Sequence, residues 1–484
     1  MSFNRRKFLR NVALGAGALA TGIPSLDVLA NEIEDTGYMI APAMPAGGNM
    51  SGYAAPKLDK VRIGFIGLGM RGPGAVQRMS HIEGVEIKAL CDKFPDRVTR
   101  AQQILKKASL PEAREYSGEE GWKALCESGD IDVVYICTPW SLHTPMALYS
   151  MNNGKHAATE VPAALTVEDC WKLVETSEKT RKHCMMLENC CYDFFELLTL
   201  NMARAGVFGE ILHGEGAYIH DLMDLNFDKK GYADMWRLKE NMAMNGSLYP
   251  THGLGPVAQC MNINRGDQFD YLTSMSTNDF MMAARAEELA AEDPFFDQFK
   301  GKKYRGNMNT TLIHTVKGKT VMVQHDVSSP RPYSRIHLIS GTKGMARKWP
   351  SPQRIAFGHG WIKQDEMKQY EEKYTPEIVK KIGDLAKQVG GHGGMDFMMD
   401  WRLIDCLRNG LPLDQDVYDA ALWSVVVPLS EKSINKRSGS VDIPDFTRGA
   451  WKTNQPVTLT LAGGGTTGVR NVKDASDKGQ LKVG

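Results

Sequence analysis

A glycine turn between two regular elements constrains this chain more than any other feature. Val61-Arg62-Ile63-Gly64-Phe65-Ile66 reads as a buried strand and runs directly into Gly67-Leu68-Gly69-Met70-Arg71-Gly72, after which Pro73 to His81 has helical texture. A second strand, Val85 to Leu90, ends at Cys91-Asp92, so an acid follows the last glycine by 20 residues. Glycines mark turns in many folds. Held between strand and helix, with an acid ending the next strand, this spacing is what a dinucleotide-binding fold needs. Gly67 permits the tight turn, Gly69 lets the backbone approach a pyrophosphate, and Gly72 lets helix and strand pack closely. The helix start offers its N–H groups to the phosphates. Asp92 accepts from ribose hydroxyls and repels a 2′-phosphate, which favours NAD over NADP. Arg71 works against that preference, because a nearby cation accommodates the extra phosphate.

Strand and helix keep alternating beyond this point. Helices are predicted over Pro95–Ala108, Glu119–Glu127, Thr144–Asn152 and Val167–Lys179, with strands over Asp132–Cys137, Lys155–Glu160 and Cys184–Leu187. Such βα units wind a parallel sheet with helices on both faces, and ligands lie beyond the carboxyl ends of its strands. Those ends carry Thr138 to His143, Glu160-Val161-Pro162 and Glu188-Asn189-Cys190-Cys191-Tyr192. After about Leu197 the texture changes: β-like runs at His213–His220, Asp270–Ser276, Met308–Val316, Thr320–Val327 and Arg335–Gly341 predict an open, mostly antiparallel sheet. Helices over Gly394–Arg408 and Val417–Ile434 carry Met, Trp and Leu at helical spacing, a stripe that reads as core. The fold class is therefore α/β. A Rossmann doubly wound sheet over 59–195 is followed by an α+β domain over 196–458, which offers a substrate platform and a dimer surface.

The ends of the chain read differently. Arg5-Arg6-Lys7-Phe8-Leu9, the weakly apolar run Asn11 to Ile23 and Val28-Leu29-Ala30 predict a twin-arginine export signal over 1–30 and a periplasmic destination. That run has 13 residues and three glycines, short of the roughly 20 that span a bilayer, so the membrane enters only as an export route. Residues 31–58 read as a linker or arm, and 459–484 as a tail. The nine cysteines are scattered through apolar runs without a Cys-x-x-Cys pair, which suits small buried side chains and gives a metal site no support. With 58 Lys and Arg against 57 Asp and Glu, no global field draws the chain to nucleic acid.

The order of parts resembles the glucose–fructose oxidoreductase superfamily, which includes inositol dehydrogenases: the glycine turn, Thr138-Pro139 at a strand end, and Gly154-Lys155-His156 leading to Glu160-x-Pro162. The superfamily's oxidoreductases usually place a lysine before that proline to contact the substrate and move its hydroxyl proton. Here the slot holds Val161, which carries no proton. Several blocks are instead similar to glycoside hydrolase family 109: Leu187-Glu188-Asn189-Cys190-Cys191-Tyr192, Trp236-Arg237, Gly246 to Gly253, Arg331-Pro332-Tyr333 and Gly391-His392-Gly393-Gly394-Met395-Asp396. That family is known for α-N-acetylgalactosaminidase activity. The resemblance implies that NAD takes hydride from C3 of the sugar and makes the C2 proton acidic. The C1 substituent then leaves by elimination, water adds, and the hydride returns. Paired carboxylates, which an ordinary glycosidase requires, are not needed.

Carried over residue by residue, the resemblance makes Tyr192 the C2 base and His252 an acid or base near the reacting carbons. Tyr218, Arg237, Tyr249, His252 and Tyr333 become sugar contacts, and Met70, Arg71, Asp92, Trp140, His143, Glu160, Val161 and Asn189 become NAD contacts. The implied substrate is a terminal N-acetylhexosaminide, and the superfamily's sheet often pairs two copies. Plainer readings accompany these: Glu160 and Glu188 as caps of backbone N–H groups, and the tyrosines as half-buried anchors. Two other functions stay open on the sequence alone. One is an exported NAD(P)-dependent sugar oxidoreductase with a second sugar as acceptor; the other is a sugar-binding homologue without catalysis.

Overall fold

The computed structural model describes residues 48–470, which form one compact unit. The expected export signal, the first part of the arm and residues 471–484 of the tail lie outside the described residues.

The first sheet follows from apolar strands covered on both faces. β1 (Val61–Ile66), β2 (Val85–Asp92), β3 (Arg114–Ser117), β4 (Val133–Ile136), β5 (His156–Thr159) and β6 (Cys184–Met186) are all parallel, in the order β3-β2-β1-β4-β5-β6. Chain order reverses between β1 and β4, which opens a crevice at their carboxyl ends, the ligand position in sheets of this kind. β3 was not expected: it is an exposed edge strand, so it lacks the apolar run that betrays its neighbours.

The second sheet has eight strands in the order β13-β12-β11-β7-β10-β9-β8-β14. Its centre is β7 (Ile211–Ile219) beside β10 (Thr320–Asp326), and these two run parallel. The remaining pairings, through β8 (Phe269–Ser276), β9 (Asn309–Thr315), β11 (Leu338–Gly341), β12 (Met345–Arg347), β13 (Arg354–Ala356) and β14 (Val441–Asp442), are antiparallel. The helix Thr251–Cys260 lies directly on β7. Glycine makes that approach: a Cβ on Gly216 would stand 2.3 Å from the Gly253 carbonyl oxygen, and one on Gly253 would stand 2.1 Å from Ala217 N.

Helices fill more of the second half than its sequence texture suggested, among them Phe194–Arg204, Met282–Glu292, Gln364–Tyr374 and Glu377–Val389. The helix Met395–Asn409 is buried at every residue from Met395 to Leu407, so its expected core stripe is core all round. It binds the two halves: Tyr135 of β4 donates to Asp400 at 2.8 Å, and Arg78 of the first helix reaches the same carboxylate at 2.7 Å. The single helix expected over Val417–Ile434 is instead two, Val417–Ser424 and Val426–Asn435. Pro428 has no N–H for the Ser424 carbonyl, which accounts for the break. All nine cysteines are unpaired, and eight are buried.

Candidate active site

The crevice above β1 and β4 opens into a cavity of about 490 Å³. At its floor Gly67 has φ +90°, and a Cβ there would lie 2.7 Å from the Cys137 carbonyl. A Cβ on Gly72 would lie 2.0 Å from the Gly67 oxygen, so only glycine closes this turn. Asp92 accepts from Leu68 N at 2.6 Å and Phe94 N at 3.0 Å, holding the turn against β2. These residues fit NAD: a turn that only glycine closes, a helix N-terminus and the Asp92 carboxylate at the end of β2 share one cavity.

Arg71 does not stand beside Asp92, as its expected influence on a 2′-phosphate required. Its guanidinium turns to Glu160 at 3.0 Å and Asp396 at 3.3 Å, because those buried carboxylates need a cation. The cation near Asp92 is Arg97, at 3.6 Å, lying over the Phe94 ring. Met70, Trp140, Val161 and Glu160, predicted NAD contacts, line the cavity. His143 lines it too, but its ring nitrogens contact the carbonyls of Thr138 and Pro162, and burial lowers its pKa. Asn189 is buried and donates to Asp396 instead of reaching the cavity wall.

The residues expected to hold sugar form one cluster beside the dinucleotide cavity. Tyr218 is 4.7 Å from Tyr249, 5.4 Å from His252 and 6.3 Å from Tyr333, ring to ring. Tyr249 stacks on Trp140 at 5.6 Å, linking the cluster to the cavity that Tyr249 and Arg237 both line. The Arg237 guanidinium sits among Trp140, Tyr218, Tyr232 and Tyr249, each ring within 6 Å. It donates to the Tyr232 hydroxyl, while Nε and Nη2 are buried without a partner. His252 is placed by the helix start on β7, and its Nδ1 lies 2.7 and 3.0 Å from the two Glu188 oxygens.

Tyr192, expected to be the base, is not brought to the cavity. The short turn Asn189–Tyr192 packs beneath Met395–Asn409, the ring is 1% exposed, and the hydroxyl donates to Asp414 at 3.2 Å. Burial and the Asp414 charge drive its pKa far up, away from what a base needs. Glu188 and Asp396 lie within the family-like sequence blocks, and neither is predicted from sequence to have a catalytic or binding role. Their signal was only the block; their partners come from distant parts of the chain.

Four acids line the cavity, and each has a basic partner: Asp92 with Arg97, Glu119 with Lys93, Glu160 with Arg71, and Asp234 with Lys239. Among the described residues Glu188, Cys190 and His252 bring metal-ligating atoms within 4.8 Å of one another. The Glu188 oxygens are already engaged by His252 and by Cys190 N.

Fold and site together define an NAD-binding protein whose Rossmann cavity abuts an aromatic, histidine-bearing cluster on a second, mixed sheet. Residues 61–188 match the oxidoreductase family with an NAD-binding Rossmann fold, and 192–453 match the C-terminal domain of glycosyl hydrolase 109. A Bacteroides fragilis protein named glycosyl hydrolase family 109 protein 1 is 51% identical over 433 residues, covering 85% of this chain and 90% of its own. A second from that species, named alpha-N-acetylgalactosaminidase, is 52% identical over 415 residues, covering 84% and 97%. A Shewanella baltica family 109 protein is 48% identical over 468 residues, covering 95% and 100%. The chain belongs to glycosyl hydrolase family 109. The fold is shared with levoglucosan dehydrogenase in complex with NADH and L-sorbose, at 18% identity and TM-score 0.61 over 80% of this chain and all of that one. An aldose–aldose oxidoreductase from Caulobacter crescentus is similar too, with 18% identity and TM-score 0.58 over 79% of this chain and 100% of its own.

Proposed function

We propose that this protein is an α-N-acetylgalactosaminidase that cleaves terminal glycosides by NAD-dependent oxidation, elimination, addition and reduction. The observation that carries the reading is the continuity of the glycine-turn cavity with the Tyr249, Arg237 and His252 cluster, in a cavity whose acids are each paired to a cation. NAD, when bound, supplies a reversible hydride acceptor for C3 of the sugar, which makes the C2 hydrogen acidic in the interval. The chain's own residues do the rest. Tyr218, Tyr249 and Tyr333 cover the pyranose face, and Arg237 offers two unspent donors to sugar oxygens that gain charge. His252 moves the proton of the elimination, because a ring nitrogen can both accept and donate one while Nδ1 is held by Glu188 at 2.7 and 3.0 Å. Val161 puts no proton carrier where the superfamily's oxidoreductases usually place a lysine, which disfavours simple alcohol oxidation by that arrangement.

The test is hydrolysis of a chromogenic α-N-acetylgalactosaminide by purified protein with no added cofactor. The reading expects many turnovers without net reduced dinucleotide. One reduced dinucleotide per product overturns it.

Export by the twin-arginine route to the periplasm belongs to the same proposal. Free dinucleotide is scarce there, and a cofactor restored in each cycle suits that setting. Changing Arg5 and Arg6 to lysine and fractionating cells tests it. Exposed Leu212, Met275, Leu312 and Val316 on the open sheet favour pairing of two copies, which light scattering checks.

A further inference from the structure

Glu188 follows β6 and is 0% exposed. Its main-chain oxygen accepts from Gln415 at 3.0 Å, and a side-chain oxygen accepts from Cys190 N at 3.1 Å. The helix that carries His252 presses on it closely enough that a Cβ on Gly255 would stand 3.0 Å from its Cγ. Both carboxylate oxygens then face His252 Nδ1, at 2.7 and 3.0 Å. A cap of one backbone N–H needs a single oxygen, and an amide would serve. Two oxygens converging on one ring nitrogen hold a proton between them and fix which nitrogen carries it.

We propose that Glu188 is a positioning residue for this reaction: it keeps His252 in the Nδ1–H tautomer and supports the imidazolium that forms when Nε2 takes the substrate's proton. This rests on the reading above that His252 carries that proton. In the step, the C2–H bond breaks and its electron pair stays on carbon beside the C3 carbonyl. The proton joins Nε2; the C2 pair then forms the C1=C2 double bond as the bond from C1 to its oxygen breaks, and that oxygen leaves with the bonding pair and takes a proton back from Nε2. Glu188 takes no proton at any stage. The histidine–carboxylate pair passes from one net negative charge to none and returns.

The surroundings suit this division. Burial works against charge on Glu188, yet His252 and the hydrogen bonds to the carboxylate hold it below the usual range. Tyr218 of β7 faces the imidazole, and His220, just beyond β7, lies 3.0 Å from the Tyr218 hydroxyl; burial keeps the tyrosine protonated and brings His220 down to about 4, so both are neutral. Tyr249 and the Cys190 thiol are also kept protonated by burial. Arg237 supplies the positive charge of the cluster, and Glu188 is the anion bonded to His252.

The experiment compares Glu188→Gln, Glu188→Asp and His252→Asn in the full-length, NAD-loaded protein, with nitrogen-labelled histidine for NMR. Glu188→Gln is expected to lower kcat by about 10²-fold with KM unchanged, and to move the acid limb of kcat down by about one pH unit. Glu188→Asp restores part of the loss. In the unmutated protein the His252 resonance, assigned by its absence in His252→Asn, shows the Nδ1–H form, a preference that relaxes in Glu188→Gln. An Nε2–H form in the unmutated protein overturns the proposal, whatever the variants do. So does a Glu188→Gln loss that only tracks the folded fraction, with the pH limb unmoved. Full activity in His252→Asn sinks instead the proton role of His252 itself.

Discussion

Asn189 donates through its side-chain amide to the buried carboxylate of Asp396. The two residues are 207 positions apart, one beyond β6 and the other in the first turn of Met395–Asn409. A residue expected to touch the dinucleotide is therefore held by the second half of the chain.

Asp396 also takes His392 at 2.9 Å, Arg71 at 3.3 Å and Arg78 at 3.5 Å. Asp396→Ala takes that carboxylate from Asn189, His392, Arg71 and Arg78 but leaves Arg71 on Glu160 and Arg78 on Asp400, and so costs about 1–3 kcal/mol. It also leaves Arg71 with one anchor, Glu160, in the cavity wall. Faster loss of bound dinucleotide on dialysis, with a lowered Tm, is the expected outcome; Asp396→Asn lies between the two. Unchanged retention contradicts the tie between the halves.

Tyr192 and His252 separate cleanly by mutation. Tyr192→Phe removes one hydrogen bond to Asp414, so it costs about 1 kcal/mol of stability and leaves kcat near its original value. His252→Asn lowers kcat by about 10²–10⁴-fold. Steady-state kinetics on both variants decide the matter, and equal losses restore Tyr192 as the base.

Arg237 carries a buried charge with two unpaired donors. Removing such a charge relieves the fold while it removes a charged hydrogen bond worth about 1.5–3 kcal/mol to the substrate. Arg237→Met is accordingly expected to keep or raise the Tm and to lower kcat/KM by about 10–150-fold. A lowered Tm with intact kcat/KM reverses the assignment.

Acid weakens this fold early. Burial lowers His156, His183, His325 and His337, with His183 and His337 at about 4. Below the unfolded value of about 6.5 the unfolded chain binds more protons, so stability is present above that pH and is lost as pH falls toward 4. Asp396 and Glu196 resist burial through their basic partners and sit low, extending the loss below pH about 4. Asp400 and Asp416, raised by burial, act in the opposite sense. Thermal denaturation from pH 7 to 4 is expected to show a steady fall in Tm; a flat profile contradicts it.

What was legible follows from range along the chain. β1 and β4 to β6 announce themselves as short buried runs, β2 by alternation that ends in one, and the glycine turn places the dinucleotide end from local spacing alone. The aromatic residues were reached through the family's blocks, and the structure gathers them into one cluster. Glu188 with His252, Asn189 with Asp396 and Arg71 with Asp396 join residues 64, 207 and 325 positions apart. No spacing rule carries such pairs. The burial of Tyr192 was hidden for the same reason: its partner Asp414 is 222 residues on.

The most direct measurement of the central claim is cleavage of an α-N-acetylgalactosaminide in deuterated water, with the released sugar read by NMR. Deuterium at C2, without net reduced dinucleotide, is the predicted result. Full-rate release of a sugar with hydrogen retained at C2 contradicts the elimination route.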